Sequence, residues 1–238
     1  MSFPHLEALG LTLTQLEKFT RYRRLLTAWN TKVNLTAITA DDAVEIKHFF
    51  DSLLLARYAG WQASAGNDSA IRVADVGAGA GFPGIPLKII YETIRLDLFD
   101  ASNKRVMFLQ ALAAELGLAD VNAFHARAED AGRDPRFRER YDWVVSRGVA
   151  PAPVLLEYCL PLVKVGGYLA AYKGPAGSEE GEASQKAATV LGGRLADIVE
   201  ASLPEGMGER QILIYRKVAP TPKAYPRRPG LPAGQPIR

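Results

Sequence analysis

The stretch Asp75-Val76-Gly77-Ala78-Gly79-Ala80-Gly81-Phe82-Pro83-Gly84 constrains the fold more than any other part of this sequence. It follows a short apolar run, Ile71 to Val76, and precedes a helical pattern. Glycines at a strand-to-helix turn let the backbone bend sharply and lie bare against a ligand, and Pro83 suits the first turn of the next helix. The default ligand is a nucleotide-type cofactor lying outside the carboxyl ends of the strands. An acid ending the second strand then reaches its ribose hydroxyls. Asp100, 25 residues after Asp75, occupies that place.

Register narrows the ligand. Gly79-x-Gly81-x-x-Gly84 matches the dinucleotide fingerprint as a string, a short pattern with many false positives. The strand ends at Asp75, however, so the tight-turn glycines are Gly77, Gly79 and Gly81, and Gly84 falls in the helix. An acid directly before the loop opposes a pyrophosphate and attracts an ammonium group. A cofactor with a ribose and a cationic amino-acid end fits better, and S-adenosylmethionine is such a molecule. No Gly-Lys-Ser/Thr follows the loop, which argues against a nucleoside triphosphate.

Around this loop, short apolar runs alternate with helical segments. Strands are expected at Ile71 to Val76, Arg95 to Phe99, Val121 to Phe124, Trp143 to Ser146, Tyr168 to Tyr172 and Ile212 to Tyr215, with a helix over Val154 to Val163. Near-continuous apolar strands separated by helices imply an α/β domain with a doubly wound, mostly parallel sheet. Two amphipathic helices precede it. One runs from about Thr12 to Trp29, with Thr12 and Gln15 as a capping box, and the other from about Asp42 to Tyr58. We read residues 1–63 as an N-terminal helical cap, 64–218 as the cofactor-binding domain and 219–238 as a C-terminal arm. Ser64 to Ser69 reads as a loop, and the charged stretch Arg133 to Arg140 as a solvated one.

Composition sets the outer limits. The chain has 238 residues, 48% of them hydrophobic, and no run approaches the roughly 20 apolar residues a membrane span needs. Met1 to His5 shows neither a basic n-region nor an apolar h-region, so secretion is not expected. The single cysteine, Cys159, excludes an internal disulfide and a multi-cysteine zinc site, and it reads as a small buried side chain. A reducing cytoplasm fits, no metal is expected, and a monomer is the default.

Net charge is only +3, but it is unevenly spread. From Glu209 to Arg238 there are seven basic residues against one acid, whereas residues 1–208 hold 22 basic against 25 acidic. Six of the 15 prolines lie between Pro220 and Pro236, which disfavours helix and central strand and suggests an extended arm on a surface. A solvated tail and an RNA-contacting arm both remain open readings.

Taken together, Asn34-Leu35-Thr36, His48-x-x-Asp51-Ser52-Leu53, Asp75 to Pro86, Ser102-x-Lys104-Arg105, Ala128-Glu129, Tyr141-Asp142, Ser146-Arg147-Gly148-Val149-Ala150, Lys173-Gly174 and Tyr225-Pro226-Arg227-Arg228-x-Gly230-x-Pro232 resemble the RsmG (GidB) methyltransferases. Gly148 departs from the alanine usual in that family, and Ala233 with Gln235 stand where a lysine is usual. The resemblance implies a Rossmann-like, class I S-adenosylmethionine-dependent methyltransferase acting on N7 of a guanine in 16S ribosomal RNA, free or in a small-subunit particle. It implies that Gly77, Gly79 and Phe82 line the cofactor, Asp100 with Ala101 and Ser102 holds the ribose, Ala128 and Glu129 flank the adenine, and Arg147 stands beside the methyl donor. Without the resemblance the favoured reading of Glu129 is an exposed acid at a helix start, whereas the position of Arg147 at a strand end favours a site role over half of a surface ion pair.

Guanine offers N7 and O6 as acceptors, which suit Arg147, Lys173 or Arg210. Lys32, Arg210, Arg227 and Arg228 are the candidate RNA contacts, holding flanking phosphates rather than reading bases. His48 shares a helix face with Asp51 and Ser52, so it pairs locally, orients the cap or touches RNA. Three rivals stand beside this reading: a small-molecule methyltransferase, a nicotinamide dehydrogenase, and an RNA-binding module whose cofactor pocket is structural or sensory.

Overall fold

In the computed structural model, which describes residues 2–59, 61 and 70–237, seven strands form one sheet in the order β3-β2-β1-β4-β5-β7-β6. They are β1 (Arg72–Val76), β2 (Arg95–Asp100), β3 (Val121–His125), β4 (Tyr141–Arg147), β5 (Val163–Lys173), β6 (Gly193–Ser202) and β7 (Glu209–Lys217). The first five pair in parallel, and β7 runs antiparallel to both β5 and β6. The strand order reverses direction between β1 and β4, so a crevice opens there at their carboxyl ends.

Period-two alternation divides the core between the two faces of the sheet. On β1, Val73 packs with Leu98 and Ile85 on one face, while Ala74 and Val76 pack with Leu155 and Leu169 on the other. The N-terminal helices have no core of their own: Phe19, Tyr22 and Phe49 belong to the same cluster as Val73 and Leu98. The capping box forms as the sequence suggests, with Gln15 N donating to Thr12 Oγ1 at 3.3 Å and Thr12 N donating to Gln15 Oε1 at 2.9 Å.

Several elements differ from the sequence reading. The second helix is not continuous: Asp41–Val44 passes into a π-helical segment, Glu45–Phe50, then Asp51–Leu53, with a separate turn at Ala56–Ala59. The helix expected to reach Val163 ends at Cys159, and β5 begins at Val163. Strand β6 was not expected. Arg194, Asp197 and Glu200 interrupt its apolar pattern, which an edge strand with half-exposed side chains tolerates. The expected loop over Ser64 to Ser69, and the boundary at 63/64, lie outside the described residues.

The charged stretch Arg133 to Arg140 is not simply solvated. Arg133 Nε donates to Pro226 O at 2.8 Å, and Arg138 donates to Tyr225 O and Thr221 O, both at 2.8 Å. These guanidinium groups satisfy carbonyls of a segment whose prolines cannot build a hydrogen-bond ladder. The arm also contains a short helix, Leu231–Gly234, despite its proline content. Pro232 lies in the first turn, where no intrahelical N–H is needed.

Candidate active site

Two cavities open at the carboxyl ends of the parallel strands. The first, of about 340 Å³, is walled by Gly77 after β1, Asp100 and Ala101 at the end of β2, and Ala128 and Glu129 after β3. Arg127, Val149, Tyr158, Gly230 and Ala233 are also among its walls. Gly77 sits at φ +71°, a backbone conformation that favours glycine, and the Val149 side chain packs where a Cβ would stand. Asp100 is buried and held between two amides: Gly79 N donates to its Oδ2 at 2.9 Å and Ser102 N to its Oδ1 at 2.8 Å.

The second cavity, of about 290 Å³, is lined by Lys47, His48, Asp51, Arg147, Gly148, Tyr172, Lys173 and Arg210, among others. Gly148 faces this cavity and Val149 the first, so consecutive residues after β4 carry the walls of both.

Arg147, the last residue of β4, organises the second cavity. Its Nη1 donates to Asp51 Oδ2 at 2.9 Å and to Lys47 O at 3.1 Å, and its Nη2 donates to His48 Nδ1 at 3.2 Å. The π-helical register of Glu45–Phe50 accounts for the available carbonyl, because its wider turn displaces the helical ladder at this point. Arg210 Nε reaches the same Asp51 Oδ2 at 3.3 Å. Asp51 Oδ1 is buried with no hydrogen-bond partner among the described residues.

His48 is fixed in one tautomer. Arginine can only donate, so Nδ1 accepts and Nε2 carries the proton, which it gives to Thr36 Oγ1 at 2.8 Å. The ring stacks on Phe82 at 4.5 Å between centroids, and Arg147 lies 5.0 Å from the same ring. Burial, and secondarily the charge of Arg147, push the His48 pKa down to about 3. With both ring nitrogens engaged, His48 links Thr36 to Arg147.

The sequence candidates divide between the two cavities. Gly77, Asp100, Ala101, Ala128 and Glu129 face the first, while Gly79 and Ser102 act on it through the Asp100 carboxylate. Phe82 is buried against Tyr22 and His48, at 5.3 and 4.5 Å, so it supports the second cavity rather than walling the first. Lys173 lines the second cavity, with its Nζ 2.7 Å from both Ala150 O and Glu180 Oε2. Asp75 is fully buried behind the glycine loop, where its Oδ2 accepts Gly84 N–H at 2.8 Å, so it does not present a carboxylate directly to a ligand.

Lys32 and Arg228 are exposed and Arg210 partly so, but Arg227 is not the free cation expected from sequence. Its Nε and Nη2 grip the buried Glu157 carboxylate at 2.9 and 2.7 Å. A bidentate pair satisfies both ions, so Arg227 anchors the arm rather than a phosphate. Sequence reasoning also missed Tyr158, hidden in an apolar helix, and Lys47, whose contribution is a backbone carbonyl that no side-chain pattern advertises.

The family described as rRNA small subunit methyltransferase G matches residues 15–213. The chain belongs to this family. A family member from Geobacillus sp. (strain WCH70), named ribosomal RNA small subunit methyltransferase G, is 48% identical over 98% of this chain and 96% of its own length. One of the same name from Staphylococcus aureus (strain Newman) is 47% identical over 95% of this chain and 92% of its own. Among solved structures, a predicted O-methyltransferase from Agrobacterium tumefaciens superposes with a TM-score of 0.52 at 20% identity, over 71% of this chain and 81% of that one. That likeness establishes a Rossmann-like fold shared with methyltransferases, and family membership adds what the fold alone leaves open.

Proposed function

We propose that this chain transfers a methyl group from S-adenosylmethionine to N7 of one guanine in 16S ribosomal RNA, by direct in-line attack without a general base. The observation that carries this reading is the pair of cavities walled by the neighbours Gly148 and Val149, one suited to a nucleoside and one ringed by cations. Family membership supplies the substrate class.

The residues present fit the cofactor. The bare backbone of Gly77, with Val149 packed against it, forms one wall of the cavity, and Asp100 offers a fixed, buried carboxylate to ribose hydroxyls. Glu129, buried beside Ala128, is the acceptor for the adenine amino group, with Ala101 and Ser102 completing the ribose side. When bound, S-adenosylmethionine supplies an activated methyl on a sulfonium.

N7 of guanine carries an in-plane lone pair and no proton at neutral pH, so the protein has no proton to remove. Its work is placement, which is worth up to ~7–11 kcal/mol when the geometry is near attack. Arg147, immobilised by Asp51, Lys47 O and His48, holds the acceptor side rigid, and Lys173 and Arg210 present positive charge to the base or its phosphates. Because A-form RNA hides N7 in a deep, narrow groove, the target guanine lies in a loop or is unstacked. Lys32 and Arg228 hold flanking phosphates.

The test is methyl transfer from labelled S-adenosylmethionine to unmethylated small-subunit RNA and to partly assembled particles, followed by nucleoside analysis. Label recovered as 7-methylguanosine from one position is expected. Transfer to a different atom or to small molecules alone overturns the reading.

A further inference from the structure

The arm is bound by polar contacts mostly at its root and by apolar packing mostly at its tip. From Thr221 to Arg227 it is clasped by Arg133, by Arg138 and by the Arg227–Glu157 pair. Beyond Pro229 the hydrogen bonds that involve a side chain are two among the described residues, Gly230 N donating to Glu129 Oε1 at a long 3.2 Å and Arg227 Nη2 donating to Gln235 O at 2.8 Å, while Pro232 is buried and Ile237 packs against the apolar cluster beneath. Gly230 stands at φ +87° with nothing near the position a Cβ would take, the properties of a backbone hinge.

The tip also has space on two sides. Ala233 borders the nucleoside cavity and, equally, an apolar groove of about 340 Å³ lined by Pro151, Pro153 and Pro236. Val149 and Tyr158 are common to both spaces, so the tip stands between two adjoining cavities.

We propose that residues 230–237 form a strap that gates the cofactor cavity, hinged at Gly230, with Ala233 moving toward the apolar groove to admit and release the adenosine end. The inference rests on the cofactor assignment made above. Glu129 couples the two events. One carboxylate accepts both the Gly230 N–H and the adenine amino group, so each holds it in place for the other, and linkage makes the effect reciprocal. Bound cofactor therefore tightens the strap, and a missing strap hastens cofactor loss.

The experiment compares hydrogen exchange of the full chain with and without S-adenosylhomocysteine, and S-adenosylhomocysteine binding by the full chain, by Gly230→Ala and by a chain ending at Pro229. The amides of Gly230, Leu231, Ala233, Gly234 and Gln235 are expected to slow at least fivefold on binding. Dissociation is expected to speed up at least tenfold in the shortened chain and several-fold in Gly230→Ala, with the circular dichroism of the fold retained in both. Equal dissociation from all three chains, or strap amides indifferent to ligand, overturns the strap while leaving the cofactor assignment intact. Failure of the full chain to bind S-adenosylhomocysteine overturns that assignment and the strap with it.

Discussion

Arg147 Nη1 lies 2.9 Å from Asp51 Oδ2, joining the end of a central strand to the helix that carries the π-helical turn. Asp51 is 3% exposed and also receives Arg210, so one carboxylate balances two guanidinium groups at the wall of the second cavity. Removing the charge leaves two cations partly buried without their counter-ion. Asp51→Asn is expected to lower stability by about 3 kcal/mol, read by chemical denaturation, and to slow methyl transfer more than it weakens cofactor binding. A variant as stable and as fast as the parent would contradict this role.

Arg147→Lys keeps the charge but cannot reach Asp51, Lys47 O and His48 Nδ1 together, because an ammonium lacks the planar fork. Methyl transfer is expected to fall at least 100-fold under single-turnover conditions, with cofactor affinity changed less than fivefold. Equal losses in both would move Arg147 from the acceptor side to the cofactor side.

Asp100→Ala removes the ribose acceptor and frees the amides of Gly79 and Ser102, which now bind its carboxylate. Calorimetry is expected to show at least a 100-fold loss of S-adenosylhomocysteine affinity, with the circular dichroism of the fold retained. Unchanged affinity would refute the cofactor assignment. RNA binding that survives this substitution together with undiminished methyl transfer would do the same.

Two buried groups give opposing pH dependences. His48 is pushed from 6.5 down to about 3, chiefly by burial, so its contribution to stability is present above 6.5 and is lost as pH falls through that window. Asp75 is pushed from 3.8 up to about 7, again chiefly by burial, so its contribution is full below 3.8 and is lost as pH rises toward 7. Across roughly pH 4 to 6.5 the stability of the parent relative to His48→Gln should rise by about 1.4 kcal/mol per pH unit. Relative to Asp75→Asn it should fall at about the same rate, and stability profiles running parallel to the parent's would contradict both shifts.

Within the arm, neighbouring arginines are expected to behave differently. Arg227→Ala strands the Glu157 carboxylate, which is 1% exposed, and should destabilise the protein by about 3 kcal/mol. Arg228→Ala should leave stability alone and reduce the slope of log affinity for RNA against log salt by about 0.8. Equal salt slopes in variant and parent would remove the arm from the RNA interface.

These differences show where the sequence was legible. The glycine loop and Asp100 could be placed because a strand end, a tight turn and a second acid fall at fixed positions in any doubly wound sheet. The capping box at Thr12 and Gln15 was equally local. Arg227 was misread because its partner, Glu157, lies 70 residues away on a helix whose other side chains are apolar. Arg133 and Arg138 were misread for the same reason: they bind carbonyls, which leave no mark on side-chain patterns. Strand β6 escaped because half-exposed edge strands need no continuous apolar run, and the π-helical turn because it changes the register of backbone bonds without changing the residues that face the core.

The most direct test uses two versions of the unmethylated small-subunit RNA, one ordinary and one with 7-deazaguanine replacing guanine, each mixed with the protein and labelled S-adenosylmethionine under single-turnover conditions. Attack through the N7 lone pair predicts label as 7-methylguanosine at a single position in the ordinary RNA and none in the 7-deaza RNA, although the latter still competes for binding. Label transferred to the 7-deaza RNA would place the nucleophile on another atom and contradict attack through N7.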